Sequence, residues 1–366
     1  MVSAISSAPR DAYQLAVDAR DPRFDGVFFV GITTTRVYCR PACKSRLAYD
    51  RHRRFFNSAA AAERAGFRPC LRCRPELAPG RAGGLLDAVS QLAREAAQRI
   101  AAGALNGHNV ADLAGELEVS ERHLRRALER ELGVSPHDLA QTHRLLLAKR
   151  LIVDTDLPMT RVAYASGFQS LRRFNAVFRA QYRMSPSALR QGRRVRPWVE
   201  GSLRLSLSYR APLAWEPLLQ SLGCEPPRYE RRVQIADHAG VVVAENSAAG
   251  GHLIVQIAES LLPALMPLIA GLRRVFDLDA EPAVIGAHLA EHGLSELVAR
   301  WPGLRVPGTL DGFASPDDFP ETDPELLQLA ERWRPWRAYA AEYLRASAPR
   351  FGRPDHGQRS GASLPQ

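Results

Sequence analysis

Four of the five cysteines fall in two close pairs, Cys39-Arg-Pro-Ala-Cys43 and Cys70-Leu-Arg-Cys73, with 26 residues between the pairs. No other feature restricts the fold so tightly. Two short-spaced thiol pairs can close a tetrahedron around one zinc ion, so the chain near 39–43 must meet the chain near 70–73. A disulfide framework is the competing reading. It is disfavoured because nothing at the N-terminus reads as a secretory signal and disulfides are rare in the cytosol. The fifth cysteine, Cys224, lies far away and reads as a packed or idle thiol.

The chain's 366 residues suffice for two or three domains. No run of 18 apolar residues suggests a membrane span; the longest greasy stretch, Leu261 to Leu272, ends in Arg273-Arg274. A cytoplasmic location is expected, with association to the nucleoid when DNA is bound. The net charge of +10 is unevenly spread. The first 201 residues carry 33 basic and 19 acidic side chains, the remainder 16 and 20. Only two lysines occur, Lys44 and Lys149, so coding bias explains arginine over lysine. It does not explain the asymmetry. A basic front half beside a zinc site points to nucleic acid.

The expected fold class is multidomain α+β. The first unit, 10–80, reads as a small zinc-bound α+β domain. It has a helix Asp11 to Ala19, a turn at Asp21-Pro22-Arg23, one strand from Val27 to Thr35, and a helix capped by Ser58 and stopped by Gly66. Pro75 to Gly84 reads as a linker. Residues 85–192 read as an all-α double helix-turn-helix domain. Its first copy runs from Val110 to Val119 with a helix from Ser120 to Leu132. Its second runs from Met159 to Phe168 with a helix from Ser170 to Tyr182. Residues 203–313 alternate in the manner of strands, with a short helix Glu216 to Leu222 and a long one Leu262 to Phe276, giving a C-terminal antiparallel α+β domain. The tail, 348–366, is expected to be disordered.

By spacing alone, a purely structural zinc is the default for four cysteines. The runs Phe29-Val-Gly-Ile-Thr-Thr-Thr-Arg-Val-Tyr-Cys39-Arg-Pro-Ala-Cys43 and Ala65-Gly-Phe-Arg-Pro-Cys70-Leu-Arg-Cys73-Arg-Pro75 resemble the N-terminal domain of the Ada family over about residues 10–80. The resemblance implies that Cys39 takes a methyl group from a DNA methylphosphotriester, once per molecule, and that Cys39, Cys43, Cys70 and Cys73 hold one Zn²⁺. It also implies that Thr35, Arg46 and Arg68 grip the DNA backbone. Four thiolates on Zn²⁺ carry a net charge near −2, and methylation removes one negative charge. Tighter DNA binding after methylation is therefore expected.

The tandem helix-turn-helix units, the second with Gly167-Phe168 and Tyr182-Arg-Met-Ser-Pro186, resemble an AraC-type DNA-binding domain. On the first recognition helix Leu124 and Leu128 fit the core. Arg122, His123, Arg125 and Arg126 then become candidates for DNA contact. On the second, Phe174 and Phe178 fit the core, leaving Gln169, Ser170, Arg172, Arg173 and Asn175. For any one of them a phosphate contact or a solvated charge is the blander reading. The implied partners are double-stranded DNA, at methylated backbone and promoter sites, and RNA polymerase. The chain is expected to be a monomer.

Leu207-Ser-Tyr-Arg-Ala-Pro-Leu-Ala-Trp215, Leu272-Arg-Arg-Val-Phe-Asp-Leu-Asp-Ala280, Pro302-Gly-Leu-Arg-Val-Pro-Gly-Thr-Leu-Asp-Gly-Phe313 and the tail Ala330 to Ala341 resemble parts of AlkA-type 3-methyladenine DNA glycosylases. The part that should separate front from tail, a helix-hairpin-helix with a Leu-Pro-Gly-Ile-Gly-like hairpin followed by a catalytic aspartate, does not occur in the sequence. Only residues 314–329 stand in its place, so 314–347 reads as the remnant of a glycosylase C-terminal helix. Asp317 and Asp318 are poor substitutes for the missing aspartate. Glycosylase activity is not expected, and Trp333 and Trp336 are expected to lack their normal packing partners and either to lie on a foreign surface or to stay loose. No Pro-Cys-His-Arg motif occurs, so repair of O6-methylguanine is not expected. The competing readings are a DNA-3-methyladenine glycosylase fused to regulator domains and a plain DNA-binding regulator with structural zinc.

Overall fold

The computed structural model describes residues 7–79, 88–191, 201–310, 317 and 324–347. The expected linker residues 80–84, the basic run 193–197, Asp318 and the tail from 348 onward lie outside these. Among the described residues no helix is long and apolar enough to cross a membrane.

The first unit opens with helix α1 (Ser7–Asp18). It continues in a four-stranded sheet of order β3-β1-β2-β4, with β1 Phe29–Ile32, β2 Val37–Cys39, β3 Arg53–Phe56 and β4 Arg68–Pro69. The single strand expected over 27–35 is instead the first arm of a hairpin. The chain turns over Thr33–Arg36, with the Arg36 amide donating to the Ile32 carbonyl at 2.9 Å and Arg36 at φ +53°. Its three threonines favour a strand, and no Gly, Pro or Asn marks the reversal. Helix α2 (Ala59–Arg64) is capped as expected. The Ser58 hydroxyl accepts from the Ala61 amide, and Gly66 takes φ +83° just past the end.

The helical unit contains α3 (Ala88–Ala101), α4 (Val110–Glu116), α5 (Glu121–Leu132), α6 (Pro136–Asp154), α7 (Met159–Ala165), α8 (Leu171–Tyr182) and α9 (Pro186–Arg190). Both helix-turn-helix pairs stand where the sequence put them. Ser120 and Ser170 cap the recognition helices α5 and α8, and Gly133 terminates α5 at φ +72°. Leu124, Leu128, Phe174 and Phe178 are fully buried.

The third unit is a second antiparallel sheet of order β5-β8-β7-β6, with β5 Ser202–Ser208, β6 Arg228–Ile235, β7 His238–Asn246 and β8 His252–Ala258. Helix α10 is Trp215–Ser221. The long helix expected from Leu262 begins only at Leu265 (α11, Leu265–Val275), after a 3₁₀ segment over Glu259–Ala264. Two further helices, α12 (Pro282–Leu289) and α13 (Ser295–Arg300), were not expected. The last pieces are α14 (Pro324–Ala330) and α15 (Arg337–Ser347).

The tail is packed rather than loose. Trp333 is not orphaned: it is 2% exposed, and its indole N–H donates to the His292 carbonyl at 3.1 Å. It packs with Ile285, Leu289, Leu294 and Leu304, and Trp336 packs against the same cluster. The Tyr339 hydroxyl donates to Asp277 at 2.6 Å. Helices α12 and α13 and the turn between them supply the apolar surface on which this tail packs. Asp317 is engaged with Arg334 and Arg337 and serves as an ion-pair anchor for this tail.

The three units pack on one another. Buried residues of α6 to α9 and of the second sheet form one continuous cluster. The first unit seats on α6. Glu63 of α2 accepts from Tyr38 at 3.0 Å and from Thr142 of α6 at 2.8 Å, and Gln181 of α8 donates to the Phe67 carbonyl at 3.0 Å. Burial pushes the Glu63 carboxyl from its usual 4.5 up to about 7, against the opposing pull of its two hydroxyl donors. A carboxyl raised on folding stabilises the native state below its unfolded value, and that stabilisation is lost as pH rises through the folded value. Glu63 therefore makes the protein about 1 kcal/mol less stable at pH 8 than at pH 6. Urea unfolding of the wild type and Glu63→Gln across that range checks this: the slope with pH should flatten in the variant, and an unchanged slope would remove the assignment.

Candidate metal centre and nucleic-acid interface

Parallel pairing of β2 with β4, Val37 against Arg68 and Tyr38 against Pro69, is what brings the two cysteine pairs together. Cys39 ends β2, and the Cys70 amide donates to the Tyr38 carbonyl at 2.9 Å. The four sulfurs lie within 4.8 Å of one another, a mutual grouping that suits one shared metal ion rather than separate pairs. A zinc tetrahedron with bonds of about 2.3 Å has sulfur–sulfur edges of about 3.8 Å, so the donor set fits one zinc ion with little adjustment. Backbone amides support the sulfurs: Arg40 N–H points at Cys73 Sγ (3.5 Å) and Arg72 N–H at Cys70 Sγ (3.4 Å). Hydrogen bonds with the neighbouring thiols, helped by burial, push the Cys39 thiol up, and hydrogen bonds from the same neighbours pull Cys43 down against its burial. Four donors so close can all be thiolate only around a cation.

Asp25 buttresses the loop between the first two ligands. Its buried carboxylate accepts from the Ala42 amide at 3.1 Å and pairs with Arg40 at 3.0 Å. Its own carbonyl accepts from Arg210 of the third unit at 3.1 Å, which ties the second sheet to this loop. Behind the second pair, Lys149 of α6 donates to the Cys70 carbonyl at 3.2 Å and to Glu76 at 2.5 Å, with both side chains at most 2% exposed. Arg74 forks onto Asp154 at 2.7 and 2.8 Å. Pro75–Leu77, expected as linker, is thus a packed 3₁₀ turn. Asp25, Glu63, Glu76, Lys149 and Asp154 were missed from sequence. The one usable signal was that Lys149 is a rare lysine set on the apolar face of a helix.

Thr35 and Arg46 are exposed, on the turn before β2 and the loop after Cys43; Arg68 is half-buried on β4 beside Cys70. The Arg68 amide donates to the carbonyl of Arg36, next to Thr35, so Thr35 and Arg68 share one end of the sheet. Arg122, His123 and Arg126 are exposed on α5, and Arg125 is half-exposed and paired with Glu121. On α8, Arg172 and Arg173 are exposed and Asn175 is half-buried. Gln169 is exposed just before the helix. The Ser170 hydroxyl accepts from the Arg173 amide at 3.3 Å, so it is committed to capping.

Three domain types account for this architecture. Residues 12–76 match the metal binding domain of Ada, 113–192 a helix-turn-helix domain, and 204–311 the AlkA N-terminal domain. Among relatives is a Mycobacterium tuberculosis (strain ATCC 25618 / H37Rv) protein named probable bifunctional transcriptional activator/DNA repair enzyme AlkA. It is 36% identical over 310 residues, which cover 81% of this chain and 62% of that one. The chain therefore spans about three-fifths of that relative's length. The Escherichia coli (strain K12) bifunctional transcriptional activator/DNA repair enzyme Ada is 35% identical over 136 residues, 37% of this chain and 36% of that protein. A solved structure of the DNA methyl phosphotriester repair domain of E. coli Ada is 41% identical over 20% of this chain and 80% of its own, with a TM-score of 0.18.

Proposed function

We propose that this chain is a methyl-accepting DNA repair protein and transcription activator of the alkylation response. The four-cysteine cluster at the end of β2 carries the proposal, because it lies in a match to the metal binding domain of Ada and is joined to two helix-turn-helix units with exposed arginines. A bound zinc supplies the positive charge that holds the four sulfurs as thiolates at neutral pH.

Cys39 sulfur forms a bond to the methyl carbon of a DNA methylphosphotriester. The carbon–oxygen bond breaks, and the electron pair leaves on the phosphate as an ordinary phosphodiester. No general base or acid is required, because the nucleophile is already a thiolate and the leaving group is a stable anion. The triester is neutral where an intact phosphate is charged, so an anionic site can approach it. The thioether that forms is not turned over, and each molecule acts once. Thr35, Arg46 and Arg68 hold the flanking backbone, and Arg122, Arg125, Arg126, Arg172, Arg173 and Asn175 supply the promoter contacts. Double-stranded DNA and RNA polymerase are the proposed partners of a cytoplasmic monomer. Base excision is not part of the proposal, since Asp317 is tied to arginines and the hairpin sequence is absent.

Replacing Cys39 by histidine separates this reading from that of a structural zinc. The variant should retain one zinc per chain and lose all uptake of radiolabelled methyl from methylphosphotriester DNA, which the wild type takes up to one equivalent. No uptake by the wild type would leave a plain DNA-binding regulator.

A further inference from the structure

A cavity of about 470 Å³ lies where the three units meet, lined by residues of all of them. That size is within the range of small-molecule sites, about 300–1,000 Å³, which favour domain junctions. Its walls are largely apolar: Phe29 from the first sheet, Ala97 and Leu139 from the helical unit, and Leu207, Ile269 and Ala270 from the third.

One lining group stands out chemically. Arg150 of α6 is 6% exposed. It donates through one terminal nitrogen to the Ser206 carbonyl, and its Nε has no hydrogen-bond partner. No carboxylate among the described residues comes within ion-pair distance of it. The acids nearby are already taken: Asp154 by Arg74, Glu76 by Lys149 and Arg74, and Asp279 by Arg273. Across the lining, four arginines face three carboxylates, and burial holds the remaining titratable group, His143, neutral at physiological pH by lowering it to about 4. A buried guanidinium with an unmet donor is costly, and a bound anion would remove that cost. Desolvation also lowers Arg150 to about 10, against the longer-range pull of Asp154 and Glu76.

We propose that this junction cavity binds a small anionic amphiphile, its carboxylate on Arg150 and its apolar body between Ala97, Leu207 and Ile269. The site is independent of the methyl-acceptor reading, and bound ligand would clamp the third unit onto the first two.

Calorimetric titration of the full zinc-loaded chain with decanoate tests this, with decanol as the uncharged control. The expected result is saturable one-to-one binding of decanoate, with decanol at least about tenfold weaker. Arg150→Met should weaken decanoate at least about tenfold. Ala97→Phe, which narrows the cavity and leaves Arg150 in place, should abolish binding. If Arg150→Met fails to fold, the decanol comparison and Ala97→Phe carry the test. Absence of saturable decanoate binding, equal affinity for decanol, or full binding in Ala97→Phe would overturn the proposal.

Discussion

Methylated protein is expected to hold DNA about 5- to 150-fold more tightly than unmethylated protein at the same salt concentration. The estimate follows from the charge at the four-cysteine centre. A zinc held by four thiolates carries about −2, and conversion of Cys39 to a thioether leaves about −1. Cys39 ends β2, the strand that begins just after the turn carrying Thr35 and whose first residue, Val37, pairs with Arg68. Any backbone phosphate held by those residues feels the change at close range. One unit of charge a few ångströms from phosphate is worth about 1 to 3 kcal/mol at effective dielectrics between those of water and a protein surface. The gain should shrink as salt is raised, because the interaction is screened over about 8–10 Å. Fluorescence anisotropy on one duplex, with methylated and unmethylated protein at 50 and 200 mM salt, measures both. Equal affinities at both salts would dismiss the electrostatic account of switching.

Lys149→Met should destabilise the chain by about 3 kcal/mol and release zinc at lower urea than the wild type. Lys149 is fully buried, and the first unit and α6 depend on it twice, through Glu76 at 2.5 Å and the Cys70 carbonyl at 3.2 Å. Removing one partner of a buried pair leaves the other charge uncompensated, at a cost of about 3–5 kcal/mol. Arg74 stays on Glu76 at 3.0 Å, which puts the expectation at the lower end. The double variant Lys149→Met with Glu76→Gln should recover part of the loss, because it removes the stranded carboxylate. A change below about 0.5 kcal/mol in the single variant would mean that the pair does not hold the two units together.

The elements that read most clearly from sequence were those with local physical signals. Ser58, Ser120 and Ser170 announce helix starts, Gly66 and Gly133 announce stops, and the fully buried pairs Leu124/Leu128 and Phe174/Phe178 follow helical spacing. The cysteine spacing required that its two halves meet, and the β2–β4 pairing is the means. What was illegible depends on distant partners. The reversal at Thr33–Arg36 needs a positive φ at an arginine, which no local rule predicts. Trp333 is buried by α12 and α13, and those helices lay in sequence that carried no recognised motif. The acids and lysine behind the centre are 73 to 80 residues apart in the chain, as for Lys149 with Glu76 and Arg74 with Asp154. Periodicity cannot pair residues over such distances.

The central claim is that Cys39, among five cysteines, accepts the methyl group. The most direct test is mass spectrometry of the zinc-loaded protein after incubation with methylphosphotriester DNA, first intact and then as peptides. The account predicts a single added methyl, about 14 Da, on the peptide carrying Cys39, with Cys43, Cys70, Cys73 and Cys224 unmodified. An unchanged mass, or a methyl mapped to any other cysteine, would contradict it.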